Sequence, residues 1–167
     1  MRPPWFIIGR TARLSCRVAP VTSTLANTMD SFHGTSAATA KELASGKVDS
    51  TRGGGELGRG FYTGEHLHEA KAWAVHRSGD RQKNVVRFVV PDHDIEALDL
   101  LILDHQSAGL RRYQVKRTGT TRTHQFGKDM VWAPIVGSER ASGDQYKWES
   151  AQAEDLLNSS AVSRDIV

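Results

Sequence analysis

Two short stretches hold the residues whose types and spacing could do chemistry. The first is Ser31-Phe32-His33-Gly34-Thr35-Ser36, a His-Gly-Thr turn after an apolar residue. The second is Gly58-Arg59-Gly60-Phe61-Tyr62-Thr63-Gly64, which delivers one tyrosine into a short strand and then starts a helix. A glycine lets another group come close to the backbone. A main-chain N–H beside a C=O then offers one donor and one acceptor. Both stretches therefore suit close backbone approach to a flat polar ligand.

Other constellations are weaker. His66, His68 and His76 include no i, i+4 pair, so a helix would not converge them on a metal, and no metal is expected. Ser36 lacks the context of a nucleophile elbow. Gly53-Gly54-Gly55 lacks the Lys-Ser/Thr of a phosphate loop. Cys16 is the sole cysteine, which excludes an internal disulfide and a cysteine-based zinc site. No apolar run approaches the ~18 residues of a membrane span, so no membrane partner is expected. A cytoplasmic home fits these features, as does secretion.

The elements that must position the two stretches follow from periodicity and breakers. Ser36 caps a helix from Ala37 to Leu43, and Gly46 ends it. Residues 49–55 read as a flexible loop, either a solvated connector or a lid over a site. A helix from Glu65 to Arg77 carries Leu67, Ala70 and Ala74 on one stripe, with Trp73 beside it. Strands are expected at 84–90, 98–103, 112–116, 130–136 (stopped by Pro134) and 145–149, with a terminal helix from Gln152 to Asn158. Strands outnumber helices without regular alternation, which reads as α+β.

The chain has 167 residues, enough for one domain with a real core. Met1 to Met29 read as an N-terminal arm, interrupted by Arg10, Arg13 and Arg17, with Met29 as an alternative natural start; residues 30–167 read as a single domain. A net charge of +3 permits a nucleic-acid or phosphate-bearing partner without demanding one. Residues 105–128 contain no acid and include Arg111, Arg112, Lys116, Arg117, Arg122 and Lys128, interleaved with Tyr113, His124 and Phe126. The segment 111–128 is either a solvated face or a contact edge for nucleic acid or a pyrophosphate.

At its two opening stretches the chain resembles the ADP-ribosyltransferase superfamily, in its poly-ADP-ribose-polymerase-like, diphtheria-toxin-like branch with a His-Tyr-Glu triad. Within that branch it looks like small bacterial toxin-like members. His33-Gly34-Thr35 matches the first motif, Gly58-Arg59-Gly60-Phe61-Tyr62 the second, and Trp73, eleven residues on, the second aromatic of the following helix. Asp144-Gln145-Tyr146-Lys147-Trp148 resembles the third motif, with Gln145 in the glutamate place. The resemblance spans residues 31–158. It implies a split β-sandwich of two small sheets with flanking short helices.

The resemblance also implies NAD as co-substrate, with His33, Tyr62 and Gln145 as catalytic residues and His33, Gly34, Thr35, Tyr62 and Trp73 as the binding set. The Gly34 backbone would hold the nicotinamide carboxamide, His33 the adenosine-side ribose, and Tyr62 with Trp73 the ring. The expected activity is NAD-dependent mono-ADP-ribosyl transfer to a protein or nucleic-acid acceptor with release of nicotinamide, in a toxin or defence effector that an antitoxin or immunity protein could restrain. A silent NAD or ADP-ribose-binding module and an NAD glycohydrolase are the alternatives. Gln145 brings no charge to the reacting ribose. Glu149 lies roughly 13 Å along the same strand face, and Glu56 or Glu139 could stand in from loops without any spacing that selects them.

Overall fold

A single sheet of seven strands runs through the described part of the chain, in the order β4-β5-β6-β2-β1-β3-β7. The structure is a computed structural model and describes residues 27–78 and 84–167; the expected N-terminal arm lies outside them up to residue 26. In chain order the elements are β1 (Thr28–Gly34), α1 (Ala37–Ala44), β2 (Phe61–Gly64), α2 (Leu67–Ser78), β3 (Val85–Pro91) and α3 (Asp92–Glu96). They continue with β4 (Leu100–Ile102), α4 (His105–Thr118), β5 (Met130–Pro134), β6 (Asp144–Trp148), α5 (Ala151–Asn158) and β7 (Ser163–Ile166). The class is α+β. The pairs are antiparallel except β4 with β5, which α4 connects.

Local chemistry explains most boundaries. Ser36 accepts a hydrogen bond from Thr39 N–H at the start of α1, and Gly46, at φ 77°, follows its end. Ser150 caps α5 through Ala153 N–H. In β3 the alternation Val86, Phe88, Val90 turns three apolar side chains into the main core, where Phe61, Met130, Tyr146 and Trp148 meet Leu43 of α1 and Leu157 of α5. β5 ends at Pro134, as a residue without a backbone donor requires.

Two expectations need correcting. Residues 112–116 are not a strand but part of α4. Asp104 caps this helix through Ser107 N–H, and Gly119 closes it in the left-handed conformation at φ 68°. The five-residue alternation had mimicked period two, yet Tyr113 is 61% exposed and the buried residues are Ala108 and Val115, spaced as a helix spaces them. The two small sheets are also not separate: the strands join into one sheet. That sheet is pinched where β1 meets β2, through the single registered pair Phe32 and Gly64.

Candidate functional site

The pinch is where the first two sequence motifs meet. Thr35 N–H donates to Asn84 C=O, so in the β1–β3 ladder the odd residues of β1 bond to β3. The even residues, Phe32 and Gly34, turn their backbone groups toward β2. Glu65 N–H likewise bonds Asp144 C=O, so Tyr62 and Gly64 turn theirs toward β1. Phe32 and Gly64 pair, and one step further the strands part. Gly34 therefore presents an N–H and a C=O to a wedge opposite the Tyr62 backbone. Gly64 also registers with Gln145 on β6, so all three motifs lie on the neighbouring strands β1, β2 and β6.

His33 crosses the wedge. Its Nδ1 lies 2.6 Å from Tyr62 C=O, and its ring stacks on Phe61 with centroids 4.6 Å apart. A carbonyl only accepts, so Nδ1 carries the proton and Nε2 of the neutral ring is left as an acceptor. Burial pulls the His33 pKa below its ordinary value, which favours this neutral form. The glycine at 34 has a packing cause of its own. A Cβ there would fall 1.9 Å from Ala70 C=O, so only glycine lets α2 lie this close to β1.

The aromatic sandwich of Tyr62 and Trp73 is not assembled. The Tyr62 ring lies beneath Gly55, where a Cβ would come within 2.8 Å of it, and its hydroxyl donates to Gly58 C=O at 2.7 Å. Burial, with the charges of Glu56 and Glu149, pushes the phenol far above its usual range, so it stays protonated. Trp73 is 54% exposed on α2, beside His76. The glycine run is thus not the solvated connector. Cβ atoms on Gly53, Gly54 and Gly58 would also meet backbone atoms, at Gly60, Thr121 and His124. The run is a close-packed cover over Tyr62.

Gln145 is buried on the same face of the sheet as Tyr62. Its Nε2 donates to Glu56 Oε1 and, at 3.3 Å, to Pro134 C=O. Both partners are acceptors, which fixes the amide orientation and leaves Oε1 of Gln145 as an acceptor. Glu56 Oε1 also takes Val136 N–H at 3.2 Å, and Arg112 Nε lies 3.2 Å from Oε2. Two places further along β6 the side chains are sealed. Lys147 is fully buried, ion-paired with Glu149, bonded to Leu57 C=O and seated 4.8 Å from the Phe126 centroid. Gly127 N–H holds the other Glu149 oxygen at 2.7 Å. Glu149 is therefore committed elsewhere.

Sequence reasoning did not find Arg112 as a partner of Glu56, nor the Lys147–Glu149 pair. The period-two alternation of 145–149 was the signal that Lys147 and Glu149 share the Gln145 face. In the basic segment Arg112 and Lys128 are ion-paired, with Glu56 and Asp99. Arg111, Lys116, Arg117 and Arg122 are exposed. A groove of about 420 Å³ near α4 is lined by Gln114, Val115, Thr118, Thr120 and His124, none of them from the expected binding set. Among the described residues no cluster of His, Cys, Asp and Glu could hold a metal, and no helix is long and apolar enough to cross a membrane. Comparison with models of known protein families finds no match, and no curated protein matches the chain.

Proposed function

We propose that the chain is a NAD-dependent mono-ADP-ribosyltransferase of the His-Tyr-Glu branch, with Gln145 in the glutamate position, and that it acts as a bacterial toxin or defence effector in a cytoplasm. The observation that carries this reading is the convergence of three motifs, far apart in sequence, on β1, β2 and β6 at the pinch of the sheet. The pinch, where β1 and β2 keep one registered pair, supports reading the seven strands as a sheet that divides there in the manner of the ADP-ribosyltransferase fold.

In this reading the Gly34 N–H and C=O hold the nicotinamide carboxamide, and Nε2 of His33 accepts a hydroxyl of the adenosine-side ribose. Displacing Gly55 uncovers the Tyr62 ring, which the nicotinamide covers in its place, with Trp73 reaching the other face. The bond between C1′ and the nicotinamide nitrogen breaks, and its electron pair passes to that nitrogen. The ribose carries positive charge until the acceptor's lone pair closes on C1′ and the acceptor gives up a proton. Oε1 of Gln145 accepts the 2′-hydroxyl of that ribose. The exposed cations of 111–128 are the contact edge for a protein or nucleic-acid acceptor.

Incubation with labelled NAD and cell lysate tests the reading. The expected result is label in a macromolecular fraction with matching release of nicotinamide. Protein that neither binds nor cleaves NAD would overturn it. A second reading, a silent NAD or ADP-ribose-binding module, draws on the uncharged Gln145 and is marked by NAD binding without nicotinamide release. Free ADP-ribose as the product would mark a glycohydrolase.

A further inference from the structure

Charge is what the Gln145 position lacks. The transition state for breaking the nicotinamide–ribose bond resembles an oxocarbenium ion, and a fixed negative charge beside it lowers the barrier more than a neutral acceptor can. We propose that Glu56 supplies this charge, acting with Gln145 as a two-residue replacement for one glutamate; the inference rests on the ADP-ribosyl-transfer reading above. Glu56 holds the Gln145 amide through Oε1, so the residue that meets the ribose hydroxyl and the residue that carries the charge form one hydrogen-bonded unit.

The pocket around the carboxylate is built for it. Val136 N–H donates to Oε1, Arg112 lies against Oε2 and itself donates to Gly137 C=O at 3.3 Å. A Cβ on Gly137 would fall 2.2 Å from Oε2, so glycine at 137 makes the room that the carboxylate fills. The Glu56 side chain keeps 15% exposure, which leaves it in reach of a ligand entering from solvent. The rival acids are placed differently. Glu149 is sealed with Lys147, Glu139 is exposed, and Asp144 turns to the opposite face of β6, where it accepts from Trp132 Nε1 at 2.6 Å.

The test measures nicotinamide release from NAD by the full chain with the cell-lysate acceptor fraction present, with kcat and KM separated, for the wild type, Glu56→Gln and the swap Glu56→Gln/Gln145→Glu. A charge used only in the transition state acts on kcat and leaves KM alone. The expected result is a kcat at least ~30-fold lower in Glu56→Gln, KM for NAD within ~3-fold of wild type, and at least ~10-fold recovery of kcat in the swap, which returns the carboxylate to the same pair. A kcat in Glu56→Gln within ~3-fold of wild type overturns the proposal. So does a folded swap that recovers nothing, because Glu56 would then serve only to hold its loop. Unfolding midpoints accompany each variant, and if Glu56→Gln does not fold, the swap alone decides. Wild-type protein that releases no nicotinamide instead refutes the transferase reading, and this inference with it.

Discussion

Two carboxylates reach one face of β6, and they are held in opposite ways. Glu149 follows the strand itself and is closed off from solvent with Lys147, each the ionic partner of the other. Glu56 arrives from the glycine loop, is partly exposed, accepts from an uncharged amide on one side and is ion-paired with Arg112 on the other. The first arrangement is closed to a ligand by its burial. Desolvation of two ions makes such a pair a doubtful source of net stability, although losing either partner strands a buried charge. The second keeps a polar cluster at the edge of the pinch, next to Tyr62 and in register with Gly64. Burial and partner, more than residue type, separate the structural acid from the one suited to chemistry.

The sharpest way to break this contrast is Lys147→Met. It leaves Glu149 buried without its cation, and the expected loss is about 3–5 kcal/mol of unfolding free energy by urea titration. A loss under about 1 kcal/mol would mean that water reaches Glu149, and the two ends of the face would no longer differ.

A smaller effect is expected at the other end. Gln145→Glu sets two carboxylates together where an amide and a carboxylate now bond. Repulsion destabilises the variant at neutral pH, and the loss shrinks on acidification because one proton between the carboxyls restores a hydrogen bond. Adding Glu56→Gln removes the repulsion, so the double variant should be more stable than the sum of the single losses by about 0.5–3 kcal/mol. Additive losses would show that the two side chains do not meet in solution.

The smallest effect concerns His33. Burial lowers its pKa in the folded state, so the unfolded chain binds the proton more readily. Stability from this group is complete above the unfolded value of about 6.5 and falls as pH drops below it, by at most about 1.4 kcal/mol per pH unit. The His124 pKa is lowered too, by burial and then by Lys147 and Arg111, and contributes with the same sign. The measurement is therefore the difference between wild type and His33→Gln. A flatter acid limb is expected in the variant, and an unchanged slope would place the His33 ring in water.

Much of the frame could be read from the chain. The strands at 84–90, 130–136 and 145–149 announce themselves through alternation and a proline stop, and α1 through Ser36 and Gly46. Helix α4 was hidden because Arg112 to Lys116 alternates by chance over five residues, while its true signals, Asp104 and Gly119, lie outside that window. The meeting of the three motifs on adjacent strands was legible only through resemblance, since no periodicity states which strands pair. Glu56 could be named from sequence as one of two loop acids, but it lies 89 residues from Gln145, and no local spacing records a contact of that range. The cover over Tyr62 could be offered only as one of two readings of the loop, for a related reason. Glycines that pack against backbone look the same in sequence as glycines that lend freedom.

The most direct test of the account is a titration of uniformly labelled protein with NAD, followed through its amide resonances. The Gly34 and Tyr62 backbone amides and the Gln145 side-chain amide are expected to shift together, saturating with one dissociation constant. The Gly127 amide, which Glu149 holds at the sealed end, should stay in place. Shifts centred on Gly127 and Phe126, or no saturable shift at Gly34 and Gln145, would contradict it.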